Sequence, residues 1–396
     1  MNSLFAFAWL VAIGTNGVNY YSQEAPFQAA VILAGAAYFL FVFQRELLRL
    51  VSFNDYLLVL LMLVLPLLLM LLSDRSFERG LYTSVICVLL VFVASSVLAL
   101  RADLGQALAT AAFVIVALGA TLNLYELLVA NNVWSTAPGR SAGFYINPNY
   151  SSEALLGYGL IFLTARMGKL RIVYLILIAL VVVGVFATFS RGGIVAGLVL
   201  ITATALMRVQ RESVPRLVAG AVVTSLLAFA FISYVVQSVD LSPDATKRIE
   251  SLIEGGGVGD YQRDRGGAAS SALDLIAEYP VFGAGVHSAG EMPEAPHNMF
   301  LAMMVNYGIG GLIVYLVVII RLILTARPAD RTLSATVLAF VAWLVIFSFS
   351  SHVMLEYAAT IPFMGFALAR AFEIEFLRRE SQFETPISQE TIPYGY

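Results

Sequence analysis

Residues 172–207 read IVYLILIALVVVGVFATFSRGGIVAGLVLITATALM, two apolar runs with a single charge, Arg191, in the Ser190-Arg191-Gly192-Gly193 break between them. A helix that crosses the hydrocarbon core of a bilayer needs about 20 apolar residues. Lipid offers no hydrogen-bond partner to an open strand edge, so the two runs are read as helices joined by a tight turn. A charged side chain at bilayer depth costs about 2.5–3.5 kcal/mol on insertion scales. Arg191 therefore needs a counter-charge, water or a function, unless it is a turn residue that snorkels to the headgroups. The two glycines let another backbone, or a ligand, come close.

The rest of the chain repeats this pattern. Of its 396 residues, 60% are hydrophobic and 12% charged, whereas a soluble domain is nearer half apolar and a quarter charged. Twelve candidate spans follow, at about 3–19, 27–43, 55–73, 81–100, 107–127, 151–166, 172–189, 192–207, 217–236, 298–320, 332–350 and 359–376. The N-terminal run lacks a basic leader and is read as a retained first span. The fold class is all-α: one polytopic transmembrane domain over 1–379 and a polar tail, 380–396, expected to be a disordered cytoplasmic segment. With the N-terminus inside, fifteen of the 23 Lys and Arg fall on the inner side and eight on the outer, which favours both termini in the cytoplasm. The net charge of −3 and the lack of a basic stripe with interleaved aromatics argue against nucleic acid. The single cysteine, Cys87, cannot form an internal disulfide.

Inner loops are short, whereas the outer side carries 128–150 and a large loop, 237–297. Loops of that length are usually functional or disordered. The large one reads as partly helical. Ser242-Pro243 with Ile249, Leu252 and Ile253, stopped at Gly255, has the signals of a capped amphipathic helix. A second helix is expected to begin at Ser271, with Ala272, Leu275, Ile276 and Tyr279 on one face and Pro280 as its end. Either apolar face can rest on the membrane or on the span bundle.

Polar residues that can carry chemistry concentrate on the outer side. Arg140 precedes Asn147-Pro148-Asn149, a turn signal that also caps the next helix, so Asn147 and Asn149 have a structural reading beside a binding one. Arg263 and Arg265 flank Asp264 and can form a solvated ion-pair cluster. Arg265-Gly266-Gly267 repeats the Arg191 pattern. His297-Asn298 opens span 10. Histidine can accept a hydroxyl proton near neutral pH. His287 and His352 are read as capping or headgroup-level residues. No HxxxH or HExxH spacing exists, and Glu24 is the lone acid of the first outer loop, so no metal site is expected. No Walker A motif is present. Arginine forks at headgroup depth suit phosphate oxygens. An anionic lipid diphosphate matches the set, its lipid lying among the spans.

Taken in order, Arg140 to Asn149, Ser190 to Gly193, Arg265, the helix before Pro280-Val281-Phe282-Gly283-Ala284-Gly285, His297-Asn298 and Gly308-Ile309-Gly310-Gly311-Leu312 resemble the O-antigen ligase and O-antigen polymerase superfamily of bacterial membrane glycosyltransferases. The resemblance covers about 140–312 and is nearest to the ligases. It implies a GT-C-like, metal-independent, inverting transferase without cofactor in the inner membrane, with its active site facing the periplasm. It implies an undecaprenyl-diphosphate-linked glycan as donor and lipid A-core as acceptor. It assigns Arg191 and Arg265 to the diphosphate and His297 to the acceptor hydroxyl. Arg140, Arg263, Asn147, Asn149 and Asn298 are further substrate contacts.

Compact size and a single dominant outer loop favour a ligase over a polymerase, and a protein O-glycosyltransferase usually carries extra length. A twelve-span transporter fits less well, because the large loop is not central between two six-span halves and charges within the spans are few.

Overall fold

The computed structural model describes the chain apart from residues 18–19, 21–24, 73–78, 131, 166–170, 200–233, 235–242, 254–257, 327–330, 353 and 384–396. The described residues are helical or in short turns, with no strand among them. Helices run α1 Asn2–Gly14, α2 Ala25–Val42, α3 Gln44–Val51, α4 Asn54–Leu72, α5 Arg79–Ala99, α6 Gly105–Tyr125, α7 Pro148–Ala165, α8 Arg171–Ala187, α9 Pro243–Ile253, α10 Val258–Glu278, α11 Met299–Ala326, α12 Arg331–Ser348 and α13 Pro362–Phe383. Residues 191–199 are also helical.

Two segments, Ala102–Ala130 and Met299–Ala326, are long and apolar enough to cross a membrane. The pair Phe27–Val42 and Gln44–Val51, bent by 85°, makes a third if taken as one span. Asn2–Gly14, Asn54–Met70, Thr83–Ala99, Val173–Ala187 and Leu333–Ser348 are apolar but shorter. Half of the expected span 192–207, and all of 217–236 except Tyr234, lie outside the described residues. One continuous apolar core joins the helices. Leu4, Phe41, Leu48, Leu175 and Leu198 stand exposed around it. An all-helical bundle that is apolar inside and out is what lipid selects.

Polar contacts divide the bundle into two poles. At one, Arg101 pairs with Glu46 and Asp103, each at 2.8 Å. Arg321 pairs with buried Asp55 at 2.7 Å, which Thr325 also meets at 3.0 Å. Arg370 bonds the Ala99 carbonyl and Arg378 that of Thr325. Tyr38 meets Asn2 there. The arginines of this pole are those the sequence assigns to the inner side. The opposite pole gathers the end of α1, the 126–150 region, the α8 turn, 280–298 and 348–360. All five non-glycine residues with positive φ among the described ones, Asn16, Asn132, Ile146, Phe189 and His287, belong to it.

Three expectations are corrected. The first helix stops at Gly14, before the expected 19. Asn16 there adopts φ 56° and its amide donates to the Phe144 carbonyl at 2.7 Å. The second loop helix begins at Val258, well before Ser271, and runs through Gly266-Gly267. Mid-helix glycines cost about 1 kcal/mol each relative to alanine. Packing outweighs that here: Ala272 and Ile276 bury against Ala289, Ala302 and Val305, so this face rests on the bundle, while Tyr279 is exposed. Finally, α13 continues to Phe383 into the expected tail, the remainder of which lies outside the described residues. In α9 the helix begins at Pro243 as the capping signals predict. The side chains of Ile249, Leu252 and Ile253 are outside the described set.

Helix α11 is broken at Gly308, where φ is 64° and ψ −163°. The 280–285 turn fills the break. Ile309 N donates to Pro280 O at 2.9 Å, and Ala284 N to Val305 O at 2.7 Å. A Cβ on Gly308 would run into the Val281 carbonyl, and one on Gly283, also at positive φ, into the Asn306–Gly308 backbone. The two glycine motifs of the sequence are therefore one joint. A left-handed conformation costs a side-chain-bearing residue about 1–2 kcal/mol before any clash. Gly308→Ala and Gly283→Ala are expected to lower the thermal midpoint of the detergent-purified protein by several degrees. Gly310→Ala, where an added Cβ meets nothing within 4 Å, leaves it level or raises it. Equal midpoints for Gly308→Ala and Gly310→Ala would contradict the joint.

Candidate functional site at one pole of the bundle

The site is built on turns that leave helical geometry and must still satisfy their backbone donors. After α6 the helix widens into a π-turn, Glu126–Ala130. The buried Glu126 carboxylate then receives four main-chain N–H groups. Oε1 accepts from Trp134 at 2.7 Å and Ser135 at 2.5 Å; Oε2 accepts from Ala142 at 2.7 Å and Gly143 at 2.9 Å. This one side chain folds the stretch that carries Arg140.

Arg140 spans two turns. Its Nε donates to Thr188 O at 2.9 Å and its Nη2 to Asn149 Oδ1 at 2.8 Å. The same Asn149 oxygen accepts from Ser190 Oγ at 3.0 Å. Asn147 Oδ1 accepts the Asn149 N–H at 2.9 Å, the short turn that opens α7. Asn147 thus serves the backbone, whereas Asn149 joins Arg140 to the Ser190 turn. Buried Asn123 ties α6 to α7 and α8 through Ser151 at 2.8 Å and the Gly184 carbonyl at 3.1 Å.

Arg191 follows Ser190 and is half-buried. Gly192 lies so close to the α12–α13 connection that an added Cβ would sit 2.7 Å from Ser350 Oγ, and one on Gly193 2.7 Å from Ser152 Oγ. The close approach that the glycine pair suggested is made by this chain's own serines. It brings the arginine turn against the 350–357 segment. There His352 is buried, its ring centroid 5.5 Å from that of His297.

Burial, with His297 and then His287 nearby, pushes the His352 imidazole down to about 4. His287 Nδ1 lies 3.1 Å from Glu356 Oε2, and Asn306 Nδ2 donates to Glu356 Oε1 at 3.4 Å. Asn298 Oδ1 accepts from Phe300 N at 2.9 Å and Leu301 N at 3.1 Å. It caps α11 and so fixes where His297 stands. Beside the histidines, a cavity of about 310 Å³ runs between α4, α5 and α11, apolar at Met62, Val88 and Met303 and polar at His287 and Glu356.

The structure thus brings Arg140, Asn149, the Arg191 turn, His352 and His297 along one path. Arg263 and Arg265 belong to α10, which packs on α11, and their side chains lie outside the described residues. Sequence reading passed over Glu126, Glu153 and Glu356, and gave His287 and His352 only capping or headgroup-level roles. Glu126 and Glu153 were visible as acids inside expected spans 5 and 6, the signal that an ionisable group at membrane depth gives. His352 and Glu356 sit in a short connection with no motif around them. His352, read as a capping or headgroup-level residue, is instead buried beside His297. Among the described residues, no three or more His, Cys, Asp or Glu gather closely enough to hold a metal ion.

An all-helical, membrane-type bundle with an arginine- and histidine-bearing polar pole defines the class. Residues 173–316, rather more than a third of the chain, match the family model described as O-antigen ligase. That match supports the O-antigen ligase superfamily, a group of glycosyltransferase-like membrane enzymes, for this segment. The search of curated proteins returns no match. The matched stretch contains the Arg191 turn, both loop helices, His297 and the broken helix.

Because its folded pKa lies below the unfolded value of about 6.5, His352 contributes stability that is fully present above pH 6.5 and is lost as pH falls toward 4. The His352 ring is expected to remain neutral at pH 5.5 in ¹⁵N-histidine spectra of the detergent-solubilised protein, where an exposed imidazole is mostly protonated. A His352 titration midpoint between 6 and 7 would contradict its burial.

Proposed function

We propose that the chain is an O-antigen ligase that transfers glycan from undecaprenyl diphosphate to lipid A-core on the periplasmic face of the bacterial inner membrane. The observation that carries this reading is the contact of the Arg191 turn with the segment holding His352, which in turn faces His297. A phosphate-binding guanidinium and a proton-accepting imidazole are thereby brought to the same pole. The apolar cavity beside them supports a donor whose isoprenoid lies among the helices.

In this reading the acceptor hydroxyl attacks the anomeric carbon from the face opposite the diphosphate. Its O–H bond breaks and the proton passes to His297. The new C–O bond forms as the bond to the diphosphate oxygen breaks, which inverts the anomeric centre. Arg191 and Arg265 carry the charge that grows on the leaving diphosphate, so no metal is needed. Neutral His352 beside His297 keeps positive charge from accumulating before the proton arrives. Arg140 and Asn149 hold the Ser190 turn, and so position Arg191. Repeat-unit polymerisation would use the same donor and chemistry and differ only in the acceptor.

The test is reconstitution of purified protein with undecaprenyl-diphosphate-linked glycan and rough lipopolysaccharide, without nucleotide or added divalent ion, products being resolved on a gel. Glycan is expected on the lipopolysaccharide; extension of the lipid-linked glycan alone would assign a polymerase instead. Arg191→Lys should lose transfer at least 10-fold, because an ammonium cannot reproduce a bidentate fork. His297→Ala should bind donor as wild type does and lose transfer. Wild-type turnover in Arg191→Lys would count against diphosphate binding by that residue.

A further inference from the structure

Glu153 is used by none of the chemistry above, and its surroundings are unusual. It lies in the second turn of α7, fully buried, and both carboxyl oxygens are without a hydrogen-bond partner among the described residues. Burying such a group without partners is costly, and more so if it is charged. A leucine of similar volume would avoid that cost.

Two more buried polar atoms without a partner, Ser351 Oγ and His352 Nδ1, belong to the segment that faces it. Ser350 and Ser152, the residues before Ser351 and Glu153, seat against the adjacent glycines Gly192 and Gly193, which brings the two segments together. The contact between α7 and this segment is fixed on several sides. Trp343 Nε1 donates to the Glu153 carbonyl at 3.1 Å. Tyr150 and Tyr357 lie with ring centroids 5.3 Å apart. Tyr158 Oη donates to Ala359 O at 3.0 Å. Gly193 seats against Ser152. A buried carboxyl on α7, and a buried hydroxyl and imidazole nitrogen on the segment packed against it, are therefore left without protein partners among the described residues. Buried polar groups that lack protein partners are commonly joined by enclosed water, which makes about three hydrogen bonds.

We propose that Glu153 is a positioning residue for the transfer site: with Ser351, and through enclosed water, it fixes the tautomer and ring orientation of His352, and through that ring the orientation of His297. A hydrogen bond at one imidazole nitrogen decides which nitrogen carries the proton and where the other points. Outer partners of this kind typically change activity 10–100-fold when they orient a functional histidine. The proposal rests on the transferase reading for its effect on turnover, though not for its effect on the imidazole.

The experiment compares wild type, Glu153→Leu and Glu153→Gln by ¹⁵N-histidine spectra, with the His352 signals assigned by their loss in His352→Gln. Thermal midpoints and transfer from undecaprenyl-diphosphate-linked glycan to rough lipopolysaccharide are measured alongside. Glu153→Leu is expected to fold with an equal or higher midpoint, to shift the His352 ring nitrogens toward the other tautomer or a mixture, and to lower kcat at least 10-fold with donor KM within 3-fold. Glu153→Gln, which keeps hydrogen-bonding capacity, should restore the wild-type ring pattern and most of kcat. A shifted ring pattern in a protein that transfers no glycan even as wild type would uphold the positioning and overturn the transferase reading. An unchanged His352 pattern in folded Glu153→Leu would overturn the proposal. If Glu153→Leu fails to fold, Glu153→Gln and Ser351→Ala decide, and wild-type ring nitrogens with wild-type kcat in Ser351→Ala would overturn it.

Discussion

Backbone groups that leave a helix inside or beside lipid must find partners within the protein, and this constraint shapes the whole polar pole. Water is scarce there, and each unsatisfied N–H or C=O costs several kcal/mol in hydrocarbon. The chain meets the demand with a few side chains used repeatedly. Glu126 takes four N–H groups, Asn298 two, and Asn306 and Asn147 one each. The 280–285 turn supplies the partners that the Gly308 break would otherwise orphan. Because these turns are fixed, so are Arg140, Arg191 and the histidines that they carry.

The two poles do different work with similar residues. At the pole assigned to the inner side, Arg101, Arg321 and Arg370 close onto Glu46, Asp55 and Glu373. Those pairs join helix ends and leave their guanidiniums occupied by carboxylates. At the other pole Arg140 binds a carbonyl and an amide oxygen, and histidines gather. The positional bias of Lys and Arg is what assigns one pole to the inner side in the sequence reading. The contacts add that Arg101, Arg321, Arg370, Arg378 and Arg379 make structural ion pairs.

Helical character and two-sidedness were legible because hydropathy is a strong, local signal. The Pro280–Gly285 and Gly308–Leu312 motifs were legible as motifs, yet their union was not, since nothing local says that a turn will fill a helix break more than twenty residues on. The Gly266-Gly267 pair misled: propensity put a helix start after it, whereas the helix runs through it from Val258. Asn147 and Asn298 were chosen partly as substrate contacts, and their Oδ1 atoms accept main-chain N–H groups at helix starts. Capping signals and binding signals use the same residue types, so composition alone does not separate them. His352 was given only a capping or headgroup role because burial is a tertiary property, and its partner His297 lies more than fifty residues earlier.

Strain tells the same story as hydrogen bonding. Ile146, Phe189 and His287 hold φ of 66°, 47° and 66°, a region that β-branched and bulky residues rarely enter. Each costs on the order of 1 kcal/mol and persists only where its surroundings over-determine it. Ile146 is held at both ends, its N–H on Gly143 O and its carbonyl under Thr136 N. Phe189 buries with Leu127, Ala187 and Ala245, which docks the start of α9 beside the turn that carries Arg191. His287 is drawn to Glu356. Among the described non-glycine residues, positive φ occurs only at this pole, which also carries Arg140, Arg191 and the histidines. A site that stabilises developing charge, as proposed for this pole, would gain most from dipoles that need not move. Backbone locked at this cost is what holds them still.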